Sequence, residues 1–348
     1  MSEREDLLNS IANTIQDYRA GDLPTPTPDH VDRWIRQFGA DVQVPLLNEL
    51  DYVLDKTYFA RDTVHQFFAK QIKHTGLAGE SPCDFWKAAY VLDIQQRGHS
   101  QSEIRQLFGS ALKEQCNLEL DDCGKEGGPY LYLDDVLFTG GRIGADLSKW
   151  IAEASPAEST VHILVIAAHQ LGEWQCIERL KKAATGAGKK IQFYCWAAVR
   201  LENRLAKRNT SEVLWPAVLP QDEELLSYVG EEKKFPFQLR QPGAKLEHGI
   251  FSSEAGRQLL EKEFLLAGMR IRSFSQNPKP ILRPLGFSPF GLGFGSMIAT
   301  YRNCPNNAPL ALWWGDADAA PGHPFRNWHP LLPRKTYAQA DDFDVVFK

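Results

Sequence analysis

No apolar run in these 348 residues approaches the ~20 needed to cross a bilayer, and the longest, residues 161–168, has the length of a buried strand. The six cysteines (Cys83, Cys116, Cys123, Cys176, Cys195 and Cys304) include no Cys-x-x-Cys pair. A zinc knuckle and a thioredoxin-type motif are therefore not on offer, and reduced thiols in a cytoplasm are expected. Basic charge is not in excess either. The 39 Lys and Arg stand against 44 Asp and Glu, a net charge of −5, so nucleic acid is not indicated as a partner by net charge. The first residues, MSEREDLLNSI, are charged and then amphipathic, without the layout of a secretory signal. The expectation is a cytoplasmic protein with no membrane partner. Internal repeats and low-complexity tracts are missing as well.

What is present is an ordinary globular composition, 43% hydrophobic and 24% charged, sufficient to bury a core. A prior of ~150 residues per domain suggests two or three domains. Residues 1–78 read as a helical N-terminal unit: apolar positions recur near a 3.6-residue period over 3–18, around Trp34, over 44–54 and over 61–72. Thr27 or Asp29 is placed to cap the second of these helices.

Residues 79–215 read differently. Short apolar strands at 88–94, 130–133, 161–167 and 191–199 alternate with helical segments, which predicts a parallel sheet covered by helices in an α/β core. Residues 216–348 form a C-terminal extension rich in proline and aromatics. There the pattern predicts a helix over 253–267 and a strand pair over 293–303 and 309–315, joined by the turn-forming run CPNNA.

The run from Tyr130 to Ile143, YLYLDDVLFTGGRI, has an unusual order: four apolar residues, two adjacent acids, a short apolar step, then Thr-Gly-Gly. The strand delivers Asp134 and Asp135 to the carboxyl edge of the sheet, where open α/β folds bind ligands. Adjacent carboxylates there can hold the vicinal hydroxyls of a ribose, or a magnesium ion bridging them. The glycines let backbone N–H groups close on a phosphate, and the helix that follows turns its positive end toward it.

This run resembles the 5-phosphoribosyl diphosphate (PRPP) signature of type I phosphoribosyltransferases. A second stretch, Arg97-Gly98-His99-Ser100-Gln101, is similar to the Arg-Gly-x-x-Gln stretch of ComF-like phosphoribosyltransferases. The whole layout, with the helical beginning and the segment ATYRNCPNNAPLALWWG, also resembles phosphoribosyltransferase-like proteins of bacterial conflict and anti-phage systems. The resemblance implies Asp134 and Asp135 as ribose or Mg2+ contacts with a catalytic role. It implies Phe138, Thr139, Gly140, Gly141 and Arg142 as the 5-phosphate cradle. Arg97, Gly98, His99 and Ser100 are then the pyrophosphate-side loop, with Arg97 assisting catalysis.

This chain departs from the family pattern twice. Arg142 stands where the signature carries a Thr or Ser hydroxyl, and the 108–129 segment is short for a loop that folds over the ribose. Two functions follow from the resemblance. One is Mg2+-dependent transfer of a phosphoribosyl group, or its reversal, with PRPP or a nucleoside 5′-monophosphate as ligand. The other is a non-catalytic nucleotide- or PRPP-sensing module that docks protein partners of a defence or regulatory complex. In the first, residues 108–129 or the proline-rich C-terminal region must cover the ribose. Outside the motifs, His162 reads as a packed strand histidine, and His169 as a residue facing the ligand edge. Trp313, Trp314 and Trp328 read as core or interface anchors, and Lys189 and Lys190 as a solvated helix end.

Overall fold

The computed structural model describes residues 2–95, 100–125, 127–204, 206, 211–231, 237–241, 249–289 and 291–334, with the backbone alone of Ser100. The chain opens with α1 (Glu3–Thr14), α2 (Pro28–Ile35) and α3 (Gln43–Thr57), followed by the short strand β1 (Tyr58–Phe59). Ser2 and Glu5 form a reciprocal capping box at the start of α1. Thr27 caps α2 as expected, its hydroxyl accepting from His30 N at 3.2 Å. The helix predicted to reach residue 18 ends at Thr14, and Tyr18 lies beyond it, buried in a run of turns.

Next come α4 (Arg61–Ile72), α5 (Thr75–Ala78), α6 (Pro82–Ala88), β2 (Tyr90–Val91) and α7 (Ser100–Cys116). The alternation continues through β3 (Tyr130–Leu137), α8 (Gly141–Glu153), β4 (Glu158–His169), α9 (Gln170–Gly186) and β5 (Lys190–Leu201). The four strands pair in the order β2-β3-β4-β5, all parallel, with Tyr130 opposite Val161 and Val161 opposite Phe193. Nine consecutive residues of β4, Val161 to His169, are buried, because helices pack on both faces of the sheet. One face carries Tyr132, Val161, Ile163 and Val165 against Leu147, Trp150, Cys176 and Leu180 of α8 and α9. This is the predicted α/β core with its parallel sheet.

The chain ends with α10 (Glu223–Glu231), α11 (Glu254–Ser273), β6 (Ala299–Thr300) and α12 (Leu310–Trp313). The predicted strand pair is not found. β6 pairs in parallel with β1, and the PLALWWG segment carries a short helix. A brief apolar run fits a buried helical turn as well as a strand, and here Trp34 Nε1 donates to Ala311 O at 2.8 Å and fixes it as the former.

Two compact units result, Arg61–Leu201 and Met1–Ala60 together with Glu202–Lys348, so the division falls at 60 and 201 where the sequence suggested 78 and 215. Packing gives the reason. In the first unit Phe68 of α4 meets Phe108 of α7 at 5.6 Å, and Trp86 Nε1 donates to Ile72 O at 2.7 Å. In the second, Phe38 meets Trp328 at 5.6 Å and Tyr18 donates to Leu332 O, so the two ends of the chain bury each other's apolar faces. Trp313, Trp314 and Trp328 are core residues of that unit. The thiol expectation is corrected at one place: Cys83 of α6 and Cys116 of α7 are joined in a disulfide, which a separation of 33 residues does not announce. Among the described residues no helix is long and apolar enough to cross a membrane.

Candidate functional site

Because the sheet is parallel, the carboxyl ends of β2 to β5 share one edge. At that edge β3 places Asp134 and Asp135, each only 2% exposed. Each uses one carboxylate oxygen on the next backbone N–H, Asp134 on Asp135 N at 2.9 Å and Asp135 on Val136 N at 2.8 Å. Burial first, then the Asp135 carboxylate, push the Asp134 carboxyl well above its ordinary 3.8, with Arg142 opposing them.

A third acid, Asp146, is 4% exposed on α8 and accepts from the Tyr132 hydroxyl at 2.8 Å. Burial, then Asp134 and Asp146, hold that phenol protonated. Over the whole residue Arg142 counts as exposed, yet its charged end is densely surrounded. Burial disfavours the guanidinium charge there, but Asp134, Asp135, Tyr132 and Asp146 outweigh it and push the pKa up; the acids govern. Arg142 is thus the electrostatic partner of the acid pair.

From Leu137 the chain turns into α8 through Phe138, Thr139 and Gly140. Phe138 is buried and Thr139 exposed, and Thr139 Oγ1 lies 3.4 Å from Gly141 N. Gly140 is the N-cap of α8 with φ +67°, and a Cβ there would stand 2.6 Å from Cys176 Cβ on α9. Only glycine meets both conditions. Gly140 offers α8 no side-chain cap, Gly141 N donates to Thr139 Oγ1, and the positive dipole end of the helix lies at the carboxyl end of β3.

His169, at the end of β4, is at this edge as expected. Its Nδ1 accepts from Gly172 N at 3.3 Å, capping α9. Cys176 is pushed up to about 11 by burial, so it packs as a thiol.

The remaining predicted residues are placed as follows. Arg97, Gly98 and His99 lie outside the described residues, as does the Ser100 side chain. His162 is the packed histidine expected: Trp196 Nε1 donates to its Nδ1 at 3.0 Å, Tyr194 stacks on it, and burial pushes it down to about 4. Lys189 corrects its reading as solvated, since its ammonium donates to Ser155 O at 2.8 Å and to Ser155 Oγ at 3.0 Å just beyond α8. The 108–129 segment is corrected as a cover. It completes α7, makes a 3-10 turn at Leu120–Asp122, and is tied by Gly124 N to Lys87 O and by Gly128 N to Ala88 O before entering β3 at its start. That is the opposite sheet edge from the acids. Sequence reasoning assigned no site role to Asp146 or Tyr132, whose signal is the helical and strand register relative to Asp134.

Among the described residues no group of three or more His, Cys, Asp or Glu could hold a metal ion. Asp134 and Asp135 are oxygen donors of the kind magnesium takes, few of them from protein.

A parallel sheet with an acid pair and a left-handed glycine in one run is the arrangement expected from the resemblance to type I phosphoribosyltransferases. A family model described as PRTase-CE matches residues 31–334, and the chain belongs to that family. No curated protein and no solved structure matches it.

Proposed function

We propose that the protein binds PRPP or a nucleoside 5′-monophosphate together with magnesium, and transfers the phosphoribosyl group or reverses that transfer. One observation carries the reading: within Asp134 to Gly141 a single turn sets two buried carboxyls beside the start of α8. The amides of 139–141 and the start of α8 would receive the phosphate, with Arg142 adding a cation.

Asp134 and Asp135 would accept from the ribose hydroxyls, and their negative charge would stabilise the positive charge that develops at the anomeric carbon. They are also the residues that would hold magnesium, which would neutralise the diphosphate. In the forward direction the bond from the anomeric carbon to the diphosphate oxygen breaks, and its electron pair leaves with pyrophosphate. A nitrogen lone pair of the acceptor base forms the new bond, and the proton on that nitrogen passes to solvent. Arg97, from the stretch that resembles the ComF-like motif, is the proposed partner of the departing pyrophosphate. The wider resemblance extends this reading to an anti-phage system with protein partners.

A second reading has a specific observation behind it. The 108–129 segment runs at the opposite sheet edge, so it supplies no shield from water, which an oxocarbenium-like centre requires. In that reading the site senses PRPP or a nucleotide without turnover and passes the signal to docked partners. Incubation with magnesium, PRPP and a mixture of bases, followed by pyrophosphate assay, separates them. Release above control that vanishes in Asp134→Asn/Asp135→Asn supports transfer. Intact PRPP binding with no release from any base supports the sensor.

A further inference from the structure

Gln101 has no exposed surface, and its carboxamide sits where the ladder between β2 and β3 should continue. The ladder begins regularly, with Tyr90 N donating to Pro129 O and Leu92 N to Leu131 O, both at 2.8 Å. The next rung of a parallel pair would be Ile94 N to Leu133 O. Instead Gln101 Nε2 donates to Leu133 O at 3.2 Å, while its Oε1 accepts from Ile94 N at 3.2 Å and from Gln95 N at 2.9 Å. The Gln101 backbone N–H donates back to Gln95 Oε1 at 2.9 Å.

Two backbone donors on one side and a carbonyl on the other admit one orientation of the amide. The side chain acts as an inserted peptide group, separating the ends of β2 and β3 one residue before Asp134. One turn further along α7, Arg105 pairs with Asp93, so the same helix holds the end of β2 at a second point.

We infer that Gln101 is a positioning residue: its amide wedges the carboxyl ends of β2 and β3 apart and fixes the distance between Gln95 and the acid pair. This rests on the proposed reading of Asp134 and Asp135 as ribose contacts. A ligand that reaches from the acid pair to the end of β2 must span that gap, and PRPP extends further from the ribose than ribose 5-phosphate by its diphosphate. Ribose 5-phosphate, held by the acids and the phosphate loop alone, need not. Glutamate at 101 keeps the shape but sets a carboxylate against Leu133 O, and leucine takes the side-chain partner from the buried Leu133 carbonyl and from the half-buried Ile94 and Gln95 amides.

The test compares wild type, Gln101→Glu and Gln101→Leu in the full chain, by amide hydrogen exchange and by calorimetry with magnesium and either PRPP or ribose 5-phosphate. The Ile94 and Gln95 amides should exchange at least about tenfold faster in the leucine variant while the β4 amides keep their protection. PRPP affinity should fall about tenfold or more in both variants, with ribose 5-phosphate changed less than about threefold. Equal exchange at Ile94 and Gln95 in all three proteins overturns the wedge. Equal loss of both ligands, or loss of neither, overturns the positioning role. If wild type binds neither ligand, the proposed function and the ligand half of this inference both fail, while the exchange data still decide the wedge.

Discussion

A Cβ atom at Gly172 would fall on the carbonyl of Phe138, so the first turn of α9 and the loop that begins the proposed phosphate cradle meet backbone to backbone. Substitution there must move one of them. Gly172→Ala is expected to destabilise the protein by about 1–3 kcal/mol, the usual range for overpacking, and to weaken phosphate-ligand binding in step. Gly186→Ala, at the last residue of the same helix with nothing within 4 Å of its Cβ position, is the control and should leave both unchanged. Thermal melts of the two variants with and without ribose 5-phosphate check this.

Asp134 should lower stability for the sake of the site. Its folded pKa is raised above the ordinary 3.8, chiefly by burial. The folded state therefore holds a proton that the unfolded chain has released, and the stabilisation is complete below pH 3.8 and lost as pH rises through the folded value. Asp134→Asn should raise Tm at pH 7–8, by about 2–4 °C for each ~1 kcal/mol relieved, and flatten the pH dependence. Arg142→Ala should lower it, because the acids lose their cation; the loss should shrink by about 1 kcal/mol or more when Asp134→Asn is also present. An additive double mutant would mean that the two groups do not interact. Ligand or magnesium binding at the pair should release a proton, visible as a dependence of the binding heat on the buffer.

The disulfide between Cys83 and Cys116 closes 33 residues, for which loop entropy alone amounts to about 3–4 kcal/mol. Reduction, or Cys83→Ser/Cys116→Ser, should lower the melting temperature of the protein by several degrees. Since the bridge holds the far end of the helix that begins beside Gln101, reduction should also accelerate exchange of the Ile94 and Gln95 amides.

Much of the core was legible because its signals are local. The apolar run at 161–167 can only be a buried strand in this context, and YLYLDDVLFTGG announces strand, acids and glycine turn in order. What was not legible depends on distant partners. β2 is two residues long and is defined by pairing with Tyr130 and Leu131. Leu310–Trp313 is a helical turn held by Trp34, whose Nε1 donates to the Ala311 carbonyl from the other end of the sequence. Gln101 reads in sequence as the last residue of the Arg-Gly-x-x-Gln stretch, and only the Leu133 carbonyl reveals it as part of the sheet. Arg142 reads as a phosphate ligand, and its relation to Asp134, Asp135 and Asp146 appears only once α8 starts at Gly141.

The central claim is that Asp134 to Arg142 is a ribose-phosphate cradle. Calorimetric titration of PRPP into wild type and into Asp134→Asn/Asp135→Asn, each with and without magnesium, tests it most directly. Wild type should bind PRPP, more tightly with magnesium, and the variant should lose about 1–3 kcal/mol per charged hydrogen bond while still melting cooperatively. Equal affinity in the two proteins, or no heat and no thermal shift with PRPP in wild type, would contradict it.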